Sequence, residues 1–425
     1  MLKTHAKQKK AWGNNRGNGL RISLVAGVIS LLMALPSEAG PREQAKRIHD
    51  RLTGVPPSSD VLDAMAAKVS AGGSGPFEAA LIAMDTDPVN GNPENAKYFY
   101  NVTLKNFAAP WTNEAQSVFE PLNDYTATVI GMVRDDVPFN QLFSVDYVYG
   151  APGLNGVSSI SPDSNAHYED LEAQAVDLSD PAVFRQVNQV TAVGLPDSSA
   201  AAGVLTSRAA ARAFFIDGTN RAMFRFAMLN HLCNDMEQVK DTTRAADRVR
   251  QDVSRSPGGD SRIFLNACVG CHSGMDPMAQ AFAYYEYDYP EGNEDAGRLV
   301  YTAGQVQPKY LINADNFKYG YVTRDDGWEN YWREGPNAIL GWDESGLSSG
   351  SGNGARTMGV ELANSKAFGR CQVTKVFRTV CLSEPENDPV VPGNDQLNEL
   401  LDVYTNSDFS LKQVFAKAAT QCMGN

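Results

Sequence analysis

The chain is poor in histidine, with five in 425 residues, and no two of them stand at the HxxxH or HExxH spacing of a helical zinc site. It has no Walker-type phosphate loop and no Ser-His-Asp set, so catalysis without a cofactor has no support. After Leu35 no apolar run approaches the ~20 residues that cross a bilayer, and neither an internal repeat nor a heptad is visible. Basic charge is short as well. With 37 Lys and Arg against 50 Asp and Glu the net charge is −13, which argues against nucleic acid or an anionic membrane as a partner.

What is there begins at the front. Lys3, Lys7, Lys9, Lys10, Arg16 and Arg21 precede an apolar run from Ile22 to Leu35, then Pro36 and the small residues Ser37 and Ala39. This is the layout of a secretory signal cleaved after Ala39, leading to a periplasmic or secreted protein. The alternative, an uncleaved anchor, meets a run that is short for a membrane span. Cleavage would remove six basic side chains and one acidic one, leaving 31 against 49 and a net charge of −18. Such a surface suits a partner with a basic patch, and equally suits plain solubility.

The mature part reads as mainly α, a multi-module helical protein. Its expected divisions are an N-terminal helical region over 40–200, a helical region with the CxxCH motif over 201–290, a β/loop excursion and flexible connector over 291–355, and a C-terminal helical module over 356–425. The 41–53 stretch reads as a short amphipathic helix ahead of the compact part. The clearest helix spans 219–239, capped by Thr219, with Met223, Phe224, Ala227, Met228, Leu232 and Met236 along one face. A second helix ends at the CxxCH, and Asp276-Pro277 reads as the cap and first turn of a third, PMAQAFAYYEY.

Six cysteines follow the signal: Cys233, Cys268, Cys271, Cys371, Cys381 and Cys422. The decisive stretch is NACVGCHSGMDP, with Cys268, Cys271 and His272. Two thiols one helical turn apart suit the two vinyl groups of a haem, and the adjacent histidine meets the iron from one face. A zinc clip would need a second ligand pair, which is absent. A thioredoxin-type CxxC would follow a strand, whereas an apolar helix leads into this one. The expectation is one covalent haem c, with Cys268 and Cys271 as thioethers and His272 as proximal ligand. Four cysteines then remain for two disulfides, with Cys381–Cys422 expected to tie the last two helices.

A six-coordinate iron needs a second ligand from a remote segment, because Met275 and Met278 follow His272 too closely. Met358, after the connector, is the expected distal ligand. His231 is its rival, its alternative role being a hydrogen-bonded core histidine.

The runs GVLT, TNR, HLC and CVGCHSGMDPMAQAFAYYEYD, over 203–288, resemble the haem segment of planctomycete-type cytochrome c proteins, and SKAFGRCQVTKVFRTVC resembles their C-terminal module. The resemblance covers about a third of the mature chain. It implies a periplasmic haem protein with the same three attachment residues, and supplies no substrate. The chain lacks the second CxxCH of larger members. Electron transfer with an unidentified redox partner is therefore expected ahead of a haem enzyme of peroxidase or oxidase type, or a haem-bearing interaction or sensor protein.

Overall fold

Proline and serine set the first helices. In α1 (Pro41–Thr53) Pro41 opens the first turn, and in α2 (Ser59–Ala71) the Ser58 hydroxyl caps the Val61 amide. Gly54 closes α1 in the left-handed conformation, and α3 (Gly75–Met84) again carries proline in its first turn. These elements come from a computed structural model that describes residues 39–216, 218–312, 318–343, 345–385 and 395–424. The expected signal segment therefore lies outside the described residues, apart from Ala39.

Ala39–Asn425 forms one compact unit of mainly α structure. The α1–α3 cluster does not stand ahead of it: Ile48 and Leu52 are fully buried, and α1 and α3 pack on helices from the other end of the chain. Those are α11 (Lys366–Cys381) and α13 (Leu411–Gln421), and α12 (Asp395–Asn406) packs on both of them. Between the ends lie a helical stretch over 96–108 (α4), the buried α5 (Asp124–Arg134), and α6 (Ala166–Ala173), α7 (Arg208–Phe214) and α8 (Arg221–His231). Helical segments over 261–279 form α9, the motif helix, and Gly354–Ala363 forms α10. Among the described residues, strands occur only as antiparallel pairs. These are β1 (Tyr147–Gly150) with β2 (Arg185–Asn188), β3 (Tyr285–Asp288) with β4 (Arg298–Tyr301), and β5 (Gly327–Glu329) with β6 (Ser351–Asn353). No helix among them is long and apolar enough to cross a membrane.

Four local expectations need correction. The 219–239 helix is shorter, because Asn220 and Cys233 adopt positive φ (60° and 55°) and bracket it. Asn220 takes the cap position in place of Thr219, and its amide donates to the Phe282 and Tyr285 carbonyls. Asp276-Pro277 starts no new helix. The motif helix runs through Pro277, at the cost of the bond its missing amide would give, and the Asp276 carboxylate is engaged elsewhere. The tyrosine run after it becomes β3. The glycine-serine connector contributes β6 and the start of α10, anchored by pairing Trp328 with Gly352.

Both disulfides are present. Cys381–Cys422 ties α11 to the end of α13, with Cα atoms 5.6 Å apart. Cys233–Cys371 ties the end of α8 to α11, with Cα atoms 5.3 Å apart.

Candidate cofactor-attachment site

Asp260 caps the motif helix by accepting from the Arg262 amide at 2.9 Å. The stretch Phe264–Cys268 is wound as a wider π-turn, a local irregularity that often marks functional sites. Val269–Ala279 then continues as ordinary α-helix. Phe264 is buried in a small separate cluster with Val249 and Val253, against which Cys268 packs, while Cys271 packs against the main core. The two thiols thus stand a helical turn apart, both half-buried, and neither is in a disulfide.

Two glycines let this helix sit close to its neighbours. A Cβ on Gly274 would lie 2.1 Å from the Trp332 indole, and one on Gly270 would meet the Lys240 side chain at 2.8 Å. Trp332 is fully buried, so the motif helix is pressed onto a rigid wall.

His272 lies on the rim of a surface cleft of about 360 Å³, lined also by Cys271, Met275, Arg221, Arg225, Met236 and Glu237. A larger cleft of about 770 Å³ is lined by residues between Ser58 and Glu94 and contains no cysteine or histidine. The His272 Nδ1 is 3.0 Å from Asp276 Oδ1, across one helical turn. A carboxylate at that distance accepts the Nδ1–H hydrogen bond and leaves the Nε2 lone pair for another partner.

Asp276 is fully buried, and each of its oxygens accepts twice. Oδ1 also accepts from Arg221 Nε at 2.7 Å, and Oδ2 accepts from Arg221 Nη2 at 3.1 Å and from the Arg250 backbone amide at 3.0 Å. Burial alone pushes its pKa up, but Arg221, His272 and Arg250 outweigh that and hold it well below the usual carboxylate range. Arg221 places its other edge on Asp252 at 2.8 and 3.0 Å.

Burial, followed by Glu237, pushes the Cys271 thiol above its ordinary pKa. That is the reverse of what an attacking redox cysteine needs. Among the described residues no group of three or more His, Cys, Asp or Glu side chains is arranged to hold a metal ion. The donor set that remains, two unpaired thiols and one imidazole with Nδ1 already engaged, has the chemistry that a thioether-linked haem requires.

The structure does not bring the two distal candidates into this cleft. Met358 is fully buried within α10. His231 is buried at the end of α8, its Nε2 2.6 Å from the Tyr125 hydroxyl and its Nδ1 3.4 Å from the Gln372 amide. Trp111 and Phe143 pack edge-on against its ring. Both ring nitrogens are thus engaged, and burial holds its pKa well below the ordinary value. The sulfur-bearing residues on the cleft wall are Met236, Cys271 and Met275.

Reading the sequence missed Arg221, Asp252 and Asp276 as parts of the site. The signal for Asp276 was local, since a residue four after His272 on a continuous helix shares its face. Arg221, 55 residues upstream, carried no such signal. No family model, curated protein or solved structure matches the chain.

Proposed function

We propose that the chain is an exported c-type cytochrome, carrying one covalently attached haem and acting in electron transfer. One observation carries this reading: four of the six cysteines pair with each other, and the two left unpaired are Cys268 and Cys271, next to His272 at a cleft. Cys268 and Cys271 would form the thioethers, and His272 would present Nε2 to the iron. Bound haem would supply reversible one-electron chemistry at its iron. The chain's residues would hold the attachment helix against Trp332 and orient the imidazole. The resemblance of 203–288 to planctomycete-type cytochrome c proteins points the same way. The acidic mature surface suits a redox partner with a basic docking patch.

A haem enzyme with an open distal position is the second reading, favoured by the His272–Asp276 pair. A carboxylate on the proximal imidazole makes it a stronger donor. The optical spectrum of the reduced, haem-loaded protein with and without carbon monoxide separates the two. A low-spin spectrum unaffected by carbon monoxide is expected for the electron carrier. Ready carbon monoxide binding would overturn electron transfer by a six-coordinate iron in favour of the enzyme.

A further inference from the structure

The clamp around Asp276 is more elaborate than a helix needs. A fully buried carboxylate is expensive unless every lone pair is matched. Here Oδ1 takes His272 Nδ1 and Arg221 Nε, while Oδ2 takes Arg221 Nη2 and the Arg250 amide. Arg221 is itself held from its other edge by Asp252, and Thr219 accepts from both Arg221 and Arg250. Asn220, in its left-handed conformation, fixes the start of α8 to the segment just after the motif helix. Every part of this network immobilises one carboxylate beside one imidazole.

We propose that Asp276, clamped by Arg221 and the Arg250 amide, is a positioning residue that fixes the ring and tautomer of His272 and strengthens Nε2 as an iron donor, so setting a low reduction potential. The proposal rests on the haem reading above and names how that same site is tuned. A negative charge hydrogen-bonded to Nδ1 raises the electron density the imidazole offers through Nε2. Stronger donation stabilises the ferric over the ferrous state, which lowers the potential. Arg221 is divided between Asp276 and Asp252, and Arg250 pairs with Asp252 in turn, so the effect on the imidazole acts through the Oδ1 hydrogen bond to Nδ1 rather than through a net local charge. The clamp also keeps the carboxylate from rotating away.

The test is the midpoint potential of purified, haem-loaded protein by spectroelectrochemistry, comparing wild type with D276N and D252N. The side-chain amide introduced by D276N keeps an oxygen that can accept from Nδ1–H, removes the charge, and turns an NH2 toward the Arg221 Nη2 and Arg250 amide donors, so this variant is expected to move the potential to a more positive value. D252N leaves the His272 contact intact and is expected to move it less. Haem present with an unchanged potential in D276N, or a larger shift in D252N, overturns the proposal. Should D276N fail to fold, the wild type alone decides, through the exchangeable Nδ1 proton of His272 in its hyperfine-shifted proton spectrum. A resonance that persists for minutes or longer in D2O supports the clamp, and one lost at once overturns it. A wild type that carries no covalent haem overturns the haem reading itself, and this proposal with it.

Discussion

Gly274 and Trp332 share one space: the glycine has no side chain where the fully buried indole lies, 2.1 Å from the Cβ it would carry. This contact sets the depth at which the CxxCH helix sits, and α9 also packs on α8. The contact was invisible in the sequence, where Gly274 reads as one more small residue of the motif and Trp332 falls in the aromatic excursion.

Gly274→Ala is accordingly expected to cost about 1–3 kcal/mol of stability, through displacement of the indole or the helix. Chemical denaturation followed by tryptophan fluorescence measures it. Stability equal to the wild type would show that the wall is soft.

The axial-ligand variants divide by burial. Met358 is fully buried, so Met358→Ala is expected to lose about 2–5 kcal/mol of stability while leaving the optical spectrum of the haem unchanged. His231→Ala strands the Tyr125 hydroxyl, while the Gln372 amide keeps its bond to the backbone carbonyl of residue 231, and is expected to cost about 1–3 kcal/mol, again with no spectral change. Met236 shares the cleft with His272 on a different segment, so Met236→Ala is the variant expected to turn the low-spin spectrum high-spin. A spin change in Met358→Ala instead would return the distal role to that residue.

Lys375 supplies a pH signature. Its ammonium donates to the Asn230 carbonyl and lies 4.7 Å from the centre of the Trp111 ring. Burial, then Arg378, pushes its pKa down to about 7, against about 10.4 in an unfolded chain. Below pH 7 both states hold the proton and the penalty is full. Between about pH 7 and 10.4 the unfolded state binds more protons, so this group makes stability rise with pH across that window. Lys375→Met is expected to lack the rise. Thermal midpoints of variant and wild type, measured from about pH 6 to 10, should differ most at the acid end and converge at the alkaline end. Parallel profiles would contradict the account.

Much of the fold was readable because its signals are local. The 41–53 helix and the apolar stripe of α8 follow from short-range pattern, and the Cys381–Cys422 pair, expected across 41 residues of chain, is present. The errors fell where distant contacts override propensity. The Cys233–Cys371 link coincides with the end of a helix that the apolar stripe would have extended. The Arg221–Asp276 pair holds a carboxylate that by itself reads as a helix cap. Pairing with β5 orders a glycine-serine run that by composition reads as a connector. At the site, the three CxxCH residues form a local motif, whereas the clamp behind them depends on residues 26 to 55 positions away from Asp276.

The most direct measurement is the mass of the mature protein, made in a host that attaches haem to exported CxxCH proteins, followed by peptide mapping across 266–277. The account predicts the added mass of one haem on the peptide holding Cys268 and Cys271, and its loss when both are changed to alanine. A mature protein of unmodified mass, or the added group on any other peptide, would contradict it.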